Sequence, residues 1–496
     1  MDASRAWPYH RVIYRDCRQH FPFINSKWLH TAPQYLPVWI LGSLLLAYGL
    51  GKLITHNPAI KGSGIPQVEG QLGGSYHAKW WPVLWQKFIG GVLSIGSGLF
   101  LGREGPSIQL GAAVGQGFSS FKRDDIVHTR VSIATGAAAG LSAAFNAPIA
   151  STMFILEEVY HNFSPLIWLS ALVSAMMSNF VSLTFFGLTP VLHIAYAQTL
   201  PLQQYGYLIL LGIVLGLLGR LYQITLLNLP KMYGALHRVP QSLYPMVPFL
   251  LVIPIGWYFP QILGGGNGII VTLSGIRLSV TMLAGLLLLR FVFSMISYGS
   301  GLPGGIFLPI LTIGAVIGGL FAQSLVVLHL LAPQFVANFI IYAMAGYFAG
   351  IGKAPFTAIL LITEMVGSLG HLMPLALVSI VAYLVVDQLN GAPIYEALLN
   401  KMIQRQPVIT HDKLDVLSVP IFADSELDGI QIRDYSWPKN MLVYAIERGD
   451  KQLLPHGDTI LQAGDTLMIS LPQERAKQIM KQIRQAASAN NSVTKD

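Results

Sequence analysis

Apolar residues run in stretches at about 37–54, 80–100, 107–120, 132–160, 166–188, 205–228, 245–262, 279–298, 305–332, 336–350, 355–366 and 373–390. Several fall short of the roughly 20 residues a helix needs to cross about 30 Å of hydrocarbon. Glycine and proline break them repeatedly, at Gly62–Pro66, Gly102–Pro106, Pro148, Gly301–Pro309 and Pro355. Irregular backbone at membrane depth is tolerated only where it lines a polar cavity or is buried in protein. The pattern therefore predicts an all-α polytopic membrane domain over 34–400, built of tilted, broken helices that meet near the midplane. Past residue 400 the pattern changes. Short apolar strands at Val419–Ala423, Met441–Glu447 and Thr466–Leu471 alternate with turns, and a helix is expected from Pro472 to Ala486. That region predicts a small α+β domain over 405–490, a disordered tail at 491–496 and an N-terminal segment at 1–33.

The two halves of the apolar region, about 34–200 and 205–400, repeat each other. Pro106, Gly111 and Gly115 have the spacing of Pro309, Gly314 and Gly318, 203 residues on. Ala147-Pro148 with Glu157 matches Ala354-Pro355 with Glu364, 207 residues on. Two matches in order at nearly one offset are the weak internal symmetry of transporters built from repeats. Symmetry makes the differences readable. Glu157 and Glu364 correspond, and their simplest reading is structural, as acceptors for nearby backbone or side-chain donors. Glu104 falls opposite Phe307 and Glu158 opposite Met365, so these unmatched acids are candidates for work done in one half only.

Charge sharpens this division. The chain is 53% hydrophobic and 11% charged; residues 401–496 hold twelve basic and twelve acidic groups, so the whole net charge of +8 falls on the first 400. Arg5, Arg11, Arg15, Arg18 and Lys27 precede the first apolar run, which favours a cytoplasmic N-terminus. The basic groups do not gather on a soluble face, which argues against nucleic acid. No signal-peptide pattern opens the chain, so the first run reads as a retained span. Cys17 is the only cysteine, which excludes an intrachain disulfide and a thiolate metal cluster. The 13 histidines lack metal-ligand spacing. No nucleophilic triad stands out, so the chain reads as a transporter rather than an enzyme, without a cofactor.

Against this background Gly102-Arg103-Glu104-Gly105-Pro106 carries the most information. A charge in hydrocarbon costs roughly 2.5–3.5 kcal/mol or more, so Glu104 is a functional candidate. The glycines and Pro106 also mark a helix start with bare amides, a natural anion site. A carboxylate lying where an anion should lie suggests a gate. Gly62-Ser63-Gly64-Ile65-Pro66 is another helix start, where Ser63 either donates to an anion or caps its own backbone. Gly301–Pro309 is a third, with free amides at Ile306 and Phe307 or, equally, a packing kink. Tyr395 reads either as an interfacial belt residue or as an inward hydroxyl. Glu157-Glu158 close an apolar helix, where acids oppose the macrodipole; Glu158 is a solvated loop residue or a proton relay. Asp124, Asp125, Lys122 and Arg123 read as a solvated turn.

Together these motifs, in this order, resemble the CLC chloride channel/transporter family over roughly residues 30–400. The resemblance implies a homodimer in the cell membrane, with an anion pathway in each subunit, two inverted repeats and cytoplasmic termini. It assigns Ser63, Tyr395 and the amides of Ile306 and Phe307 to a central chloride, with Gly64, Arg103 and Gly105 completing the anion-binding set. Glu104 becomes the gating glutamate, and Glu158 falls on the internal proton-transfer position of the exchangers. That implies a Cl⁻/H⁺ antiporter, with a passive voltage- or ligand-gated chloride channel as the alternative. Ser63 stands where nitrate-preferring members place Pro, and fluoride exporters depart from both intact glycine motifs. Through Pro455-His456-Gly457-Asp458-Thr459 and Leu461 to Gly464-Asp465-Thr466-Leu467, about 70 residues of the 405–490 domain resemble the C-terminal subdomain of RCK/TrkA potassium-transport regulators. This implies a bacterial chain with a regulatory or dimerising cap, a cyclic dinucleotide such as cyclic di-AMP being one ligand of such domains. A potassium-system pore is disfavoured because no carbonyl-lined filter sequence is present.

Overall fold

The computed structural model describes residues 36–123, 125–187, 199–235, 239–275, 278–403, 414–438, 441–449, 451–472 and 476–487. The segment 1–33 with its basic residues and Cys17, Asp124 and the tail 491–496 lie outside the described residues. The chain divides into two compact units, Met1–Arg405 and Gln406–Asp496.

The first unit opens with α1 (Leu36–His56), α2 (Ile65–Leu72), α3 (Trp80–Gly96) and α4 (Glu104–Lys122). It continues with α5 (Ile126–Phe145), α6 (Pro148–Phe154) and α7 (Pro165–Phe186). A 30-residue helix, α8 (Tyr205–Gly234), leads into the second half. There α9 (Met246–Tyr258), α10 (Asn267–Gly275), α11 (Val280–Gly299) and α12 (Phe307–Val327) follow. The series ends with α13 (Val336–Gly352), α14 (Pro355–Val366), α15 (Leu372–Gln388) and α16 (Ile394–Ile403). The apolar run 132–160 becomes two helices because Asn146 turns left-handed at φ 54° and Pro148, lacking an N–H, starts the next. Seven described helices are long and apolar enough to cross a membrane by length and composition.

The repeat is a packing pattern. Helix α4 packs on α5 as α12 packs on α13, and α5 packs on α7 as α13 packs on α15. The proline–glycine spacing that repeats in the sequence serves these contacts. A methyl added at Gly111 or Gly115 would meet a backbone carbonyl of α5, and one at Gly314 or Gly318 a carbonyl of α13. Helix α13 is buried from Ala337 to Gly352, as an element apolar on all sides must be.

Two seams join the halves, both antiparallel in sense. At one, Gly102 and Gly305 exchange backbone hydrogen bonds of 2.7 and 2.6 Å. At the other, α6 meets α14 and each caps the other. Glu157 accepts from the amides of Phe356 (3.2 Å) and Thr357 (2.7 Å) and from the Thr357 hydroxyl (2.7 Å). Glu364 accepts from the amides of Ile149 (3.2 Å) and Ala150 (2.7 Å). The structural reading of this matched pair holds, and the capping runs across the repeat. An antiparallel helix pair with reciprocal caps is what two halves related by a two-fold axis produce.

The symmetry reaches further than the sequence motifs. Lys87 on α3 and Arg290 on α11 are both buried, 203 residues apart. Lys87 donates to the carbonyls of Ile60 (2.9 Å) and Gly62 (2.7 Å). Arg290 donates to those of Ile262 (3.2 Å), Gly264 (2.8 Å) and Gly265 (2.5 Å). Each cation thus ties down the glycine loop that opens a short helix, α2 in one half and α10 in the other.

The second unit is an antiparallel four-stranded sheet in the order β1-β4-β2-β3, with β1 Leu414–Pro420, β2 Leu442–Arg448, β3 Lys451–Leu453 and β4 Thr466–Pro472. Helix α17 (Ala476–Ala487) contributes Ile479, Ile483 and Ala486 to a core shared with Ile446, Leu467, Ile469 and Leu471. Strand β1 lies earlier than the expected Val419–Ala423, because its pairing with β4 runs back to Leu414. Asp465 is buried and takes Arg448 on both oxygens at 2.7 Å, closing the turn before β4.

Candidate functional site

Three glycine loops are laced together by backbone. Gly62 donates to Gly301 at 3.3 Å and Gly304 to Gly62 at 3.0 Å, while Gly102 and Gly305 pair as described. This lacing brings the starts of α2, α4 and α12 to one place. Four amides at a helix start lack internal partners and carry the positive end of the dipole. Gly105 is required here because a methyl on it would lie 2.8 Å from Ser63, so α2 and α4 begin in contact. Gly64, the residue before α2, takes φ +92°, a conformation that other residues adopt at a cost.

Glu104 opens α4 and is fully buried. Its carboxylate lies among the amides of Arg103, Glu104 and Leu308, none at hydrogen-bonding geometry, so both oxygens stay unpaired. The side chain of one half thus sits between the helix starts of both. Arg103 does not meet it squarely. Its guanidinium donates to Ala144 O at 3.2 Å, and its Nε stands 3.9 Å from Glu104 Oε1.

On the inner side, Ser63 accepts from the Ile65 amide at 3.3 Å. It therefore caps α2, and its own hydroxyl proton stays available to an anion. Tyr395 is fully buried and its hydroxyl has no partner, which settles its direction as inward. Its ring stands edge-on to Phe154 at 6.0 Å, and Phe154 packs on Phe307 at 5.5 Å. Phe145 (5.1 Å) and Phe348 (4.4 Å) complete the aromatic wall around Phe307. Ile306, the residue before α12, is buried beside them. Glu158 lies near enough to act on the Tyr395 hydroxyl, is 3% exposed and has Oε1 unpartnered. It sits in a wide turn, Ile155–Val159, in which Tyr160 N bonds Ile155 O at 2.8 Å. Such turns recur at functional sites.

The structure thus places Glu104, the helix starts, Ser63, Phe307, Tyr395 and Glu158 in the buried interior, while the Arg103 guanidinium turns to Ala144 and Glu157 serves as a cap. Buried polar groups without partners are rare, and several together define a place for a polar guest. Residues 42–387 match the family model described as voltage-gated chloride channel, 70% of the chain. The chain belongs to the CLC family. Residues 416–484 of this CLC protein match the TrkA-C domain model.

Among curated relatives, the H⁺/Cl⁻ exchange transporter ClcA of Vibrio campbellii is 34% identical over 405 residues, covering 78% of this chain and 85% of that one. The protein of the same name from Salmonella arizonae is 32% identical over 377 residues, covering 74% and 79%. Among solved structures, a slow cyanobacterial Cl⁻/H⁺ antiporter superposes with a TM-score of 0.73 at 30% identity, covering 81% of this chain and 96% of that one. A eukaryotic CLC transporter shares the fold at 20% identity, with a TM-score of 0.64 and coverage of 88% and 76%. This CLC protein is a multi-pass membrane protein with two inverted repeats and a small α+β C-terminal unit.

The sequence reading passed over Lys87, Arg290 and Glu69. The first two were findable, since they stand at the 203-residue offset already evident from Pro106 and Pro309.

Proposed function

We infer that this chain is a secondary active transporter that exchanges chloride for protons across a membrane, with Glu104 as the gate. One observation carries the reading: an acidic side chain, unpaired and fully buried, occupies the meeting point of the α4 and α12 helix starts. Several helix ends with hydroxyl donors replace an anion's hydration without a full cation, so a bound chloride can still leave. A chloride arriving at Ser63 and Tyr395 places like charge beside Glu104, favours its protonation and releases it from the amides. Chloride movement then requires proton movement. Glu158, close to Tyr395, supplies the second acid that an exchanger needs.

The test is reconstitution of the full chain in liposomes. An imposed chloride gradient should drive protons uphill in the opposite direction. Chloride flux with no proton movement would establish the passive channel instead.

Two further roles belong to this reading. The exposed apolar residues Leu166, Val173, Met176, Met177 and Phe180 on α7 fit a second copy of the chain, making a homodimer. A cytoplasmic TrkA-C unit fits regulation by a small ligand, for which cyclic di-AMP is the first compound to titrate by calorimetry.

A further inference from the structure

We propose that Glu69 is the step through which protons pass between water at Glu396 and the buried Glu158. The proposal rests on the exchanger reading, in which Glu158 must be loaded and unloaded at every cycle. Glu158 is closed off from water, so some neighbouring group has to bring the proton. Among the described residues, the acids close enough to act on its charge are Glu69, Glu157 and Glu396. Glu157 is occupied, both its oxygens being held by the α14 amides and Thr357. Its oxygens are committed to capping α14, which leaves no free oxygen to pass a proton on. Glu69 is 7% exposed and keeps Oε2 buried without a partner.

Position supports the choice. Helix α2 packs against the Ile155–Val159 turn on one side and against α16 on the other. A methyl on Gly70 would lie 2.9 Å from Leu399, so α2 and α16 touch at the level of Glu69. Glu396, on α16, is exposed and lies close enough to Glu69 to act on its charge. Around the end of α2, Arg130 reaches Gly74 and Gln71 bonds Gln116 at 3.3 Å, and Glu69 is in none of the ion pairs found among the described residues. The repeat gives an independent sign. At the offset that pairs Gly62 with Gly264, Glu69 stands opposite Val271, so the acid is unmatched, as Glu104 and Glu158 are. Each step moves one proton: Glu69 as the acid gives it to the Glu158 carboxylate, becomes a carboxylate, and is reprotonated from water at Glu396. The reverse order serves the opposite direction.

The experiment compares Glu69→Gln in two backgrounds, as the full chain in liposomes. In the otherwise wild-type chain, chloride-driven proton flux should fall at least tenfold, and coupled chloride flux with it. In a Glu104→Gln background, where chloride passes without protons, adding Glu69→Gln should leave chloride flux within twofold. Glu69→Asp should restore part of the proton flux. Glu396→Gln, a surface change that leaves folding intact, should slow proton flux about threefold and shift its dependence on pH on that side of the membrane. Wild-type proton flux in Glu69→Gln overturns the proposal, and so does an equal loss of chloride flux in both backgrounds. If Glu69→Gln does not fold, unaltered proton flux in both Glu69→Asp and Glu396→Gln has the same force. A wild-type chain that moves no protons removes the exchanger reading and this step together.

Discussion

The first and second halves of the membrane unit are one structure used for two purposes. Where they agree, the residues hold backbone: Glu157 and Glu364 cap helices, Lys87 and Arg290 tie down glycine loops, and Gly111 and Gly314 let helices touch. Where they differ, the first half has a polar group and the second an apolar or small one. Ser63 stands opposite Gly265, Glu69 opposite Val271, Glu104 opposite Phe307 and Glu158 opposite Met365. Every unmatched acid in this set is buried. Internal symmetry therefore separates framework from chemistry without any homologous sequence.

The largest expected effect tests that separation at Glu104 and Phe307, which open α4 and α12. Glu104→Gln should abolish chloride-driven proton movement, by about 100-fold or more on the scale of losing an essential proton-transfer group, while chloride flux persists. Phe307→Leu, at the matched position, should leave the coupling ratio intact and alter only chloride affinity. Liposome flux with chloride and pH electrodes reads both. Proton transport at the wild-type rate in Glu104→Gln would break the comparison at its centre.

Much of this arrangement was legible in the chain. The apolar runs anticipated nearly every long helix, since length and hydropathy are what a bilayer imposes. The glycine–proline loops announced helix starts because those residues are needed wherever backbone turns sharply or approaches closely. Loop convergence was not legible: that Gly102 pairs with Gly305 and Gly62 with Gly301 depends on contacts about two hundred residues apart. Helix α10 was hidden because Gly264-Gly265-Gly266 lacks the proline and serine that mark α2. Lys87 and Arg290 each look like a lone charge in an apolar run, and only the buried carbonyls around them explain their presence. In the C-terminal unit β3 was missed, being three residues with no apolar alternation.

The buried cations give the next effect in size. Lys87→Met strands two carbonyls and Arg290→Met three, each costing about 1–3 kcal/mol when buried without a partner. Thermal unfolding in detergent should show both variants destabilised, Arg290→Met the more. Their functional consequences should diverge. Gly62 precedes Ser63, so Lys87→Met should also weaken chloride binding by calorimetry, whereas Arg290→Met should not, because its loop has Gly265 where the first has Ser63. Equal loss of chloride affinity in the two variants would mean that the second half also shapes the anion site.

The smallest effect belongs to the matched caps, and it sharpens the comparison most. Glu157→Gln and Glu364→Gln keep the shape of the side chain and remove its charge. One amide oxygen can still accept from a helix start, but the new NH₂ group then faces a backbone N–H with nothing to give it. Hydrogen bonds to a charged group contribute about 1.5–3 kcal/mol, so each variant should be destabilised within that range. Glu157→Gln should be the costlier, since Glu157 also holds the Thr357 hydroxyl. Because both caps sit on the α6–α14 pair, the double variant should not be additive. The coupling ratio should stay at the wild-type value in both, although Glu157 is the chain neighbour of Glu158. If Glu157→Gln uncouples transport and Glu364→Gln does not, the two glutamates are alike in geometry but unlike in work, and matched position would no longer identify framework.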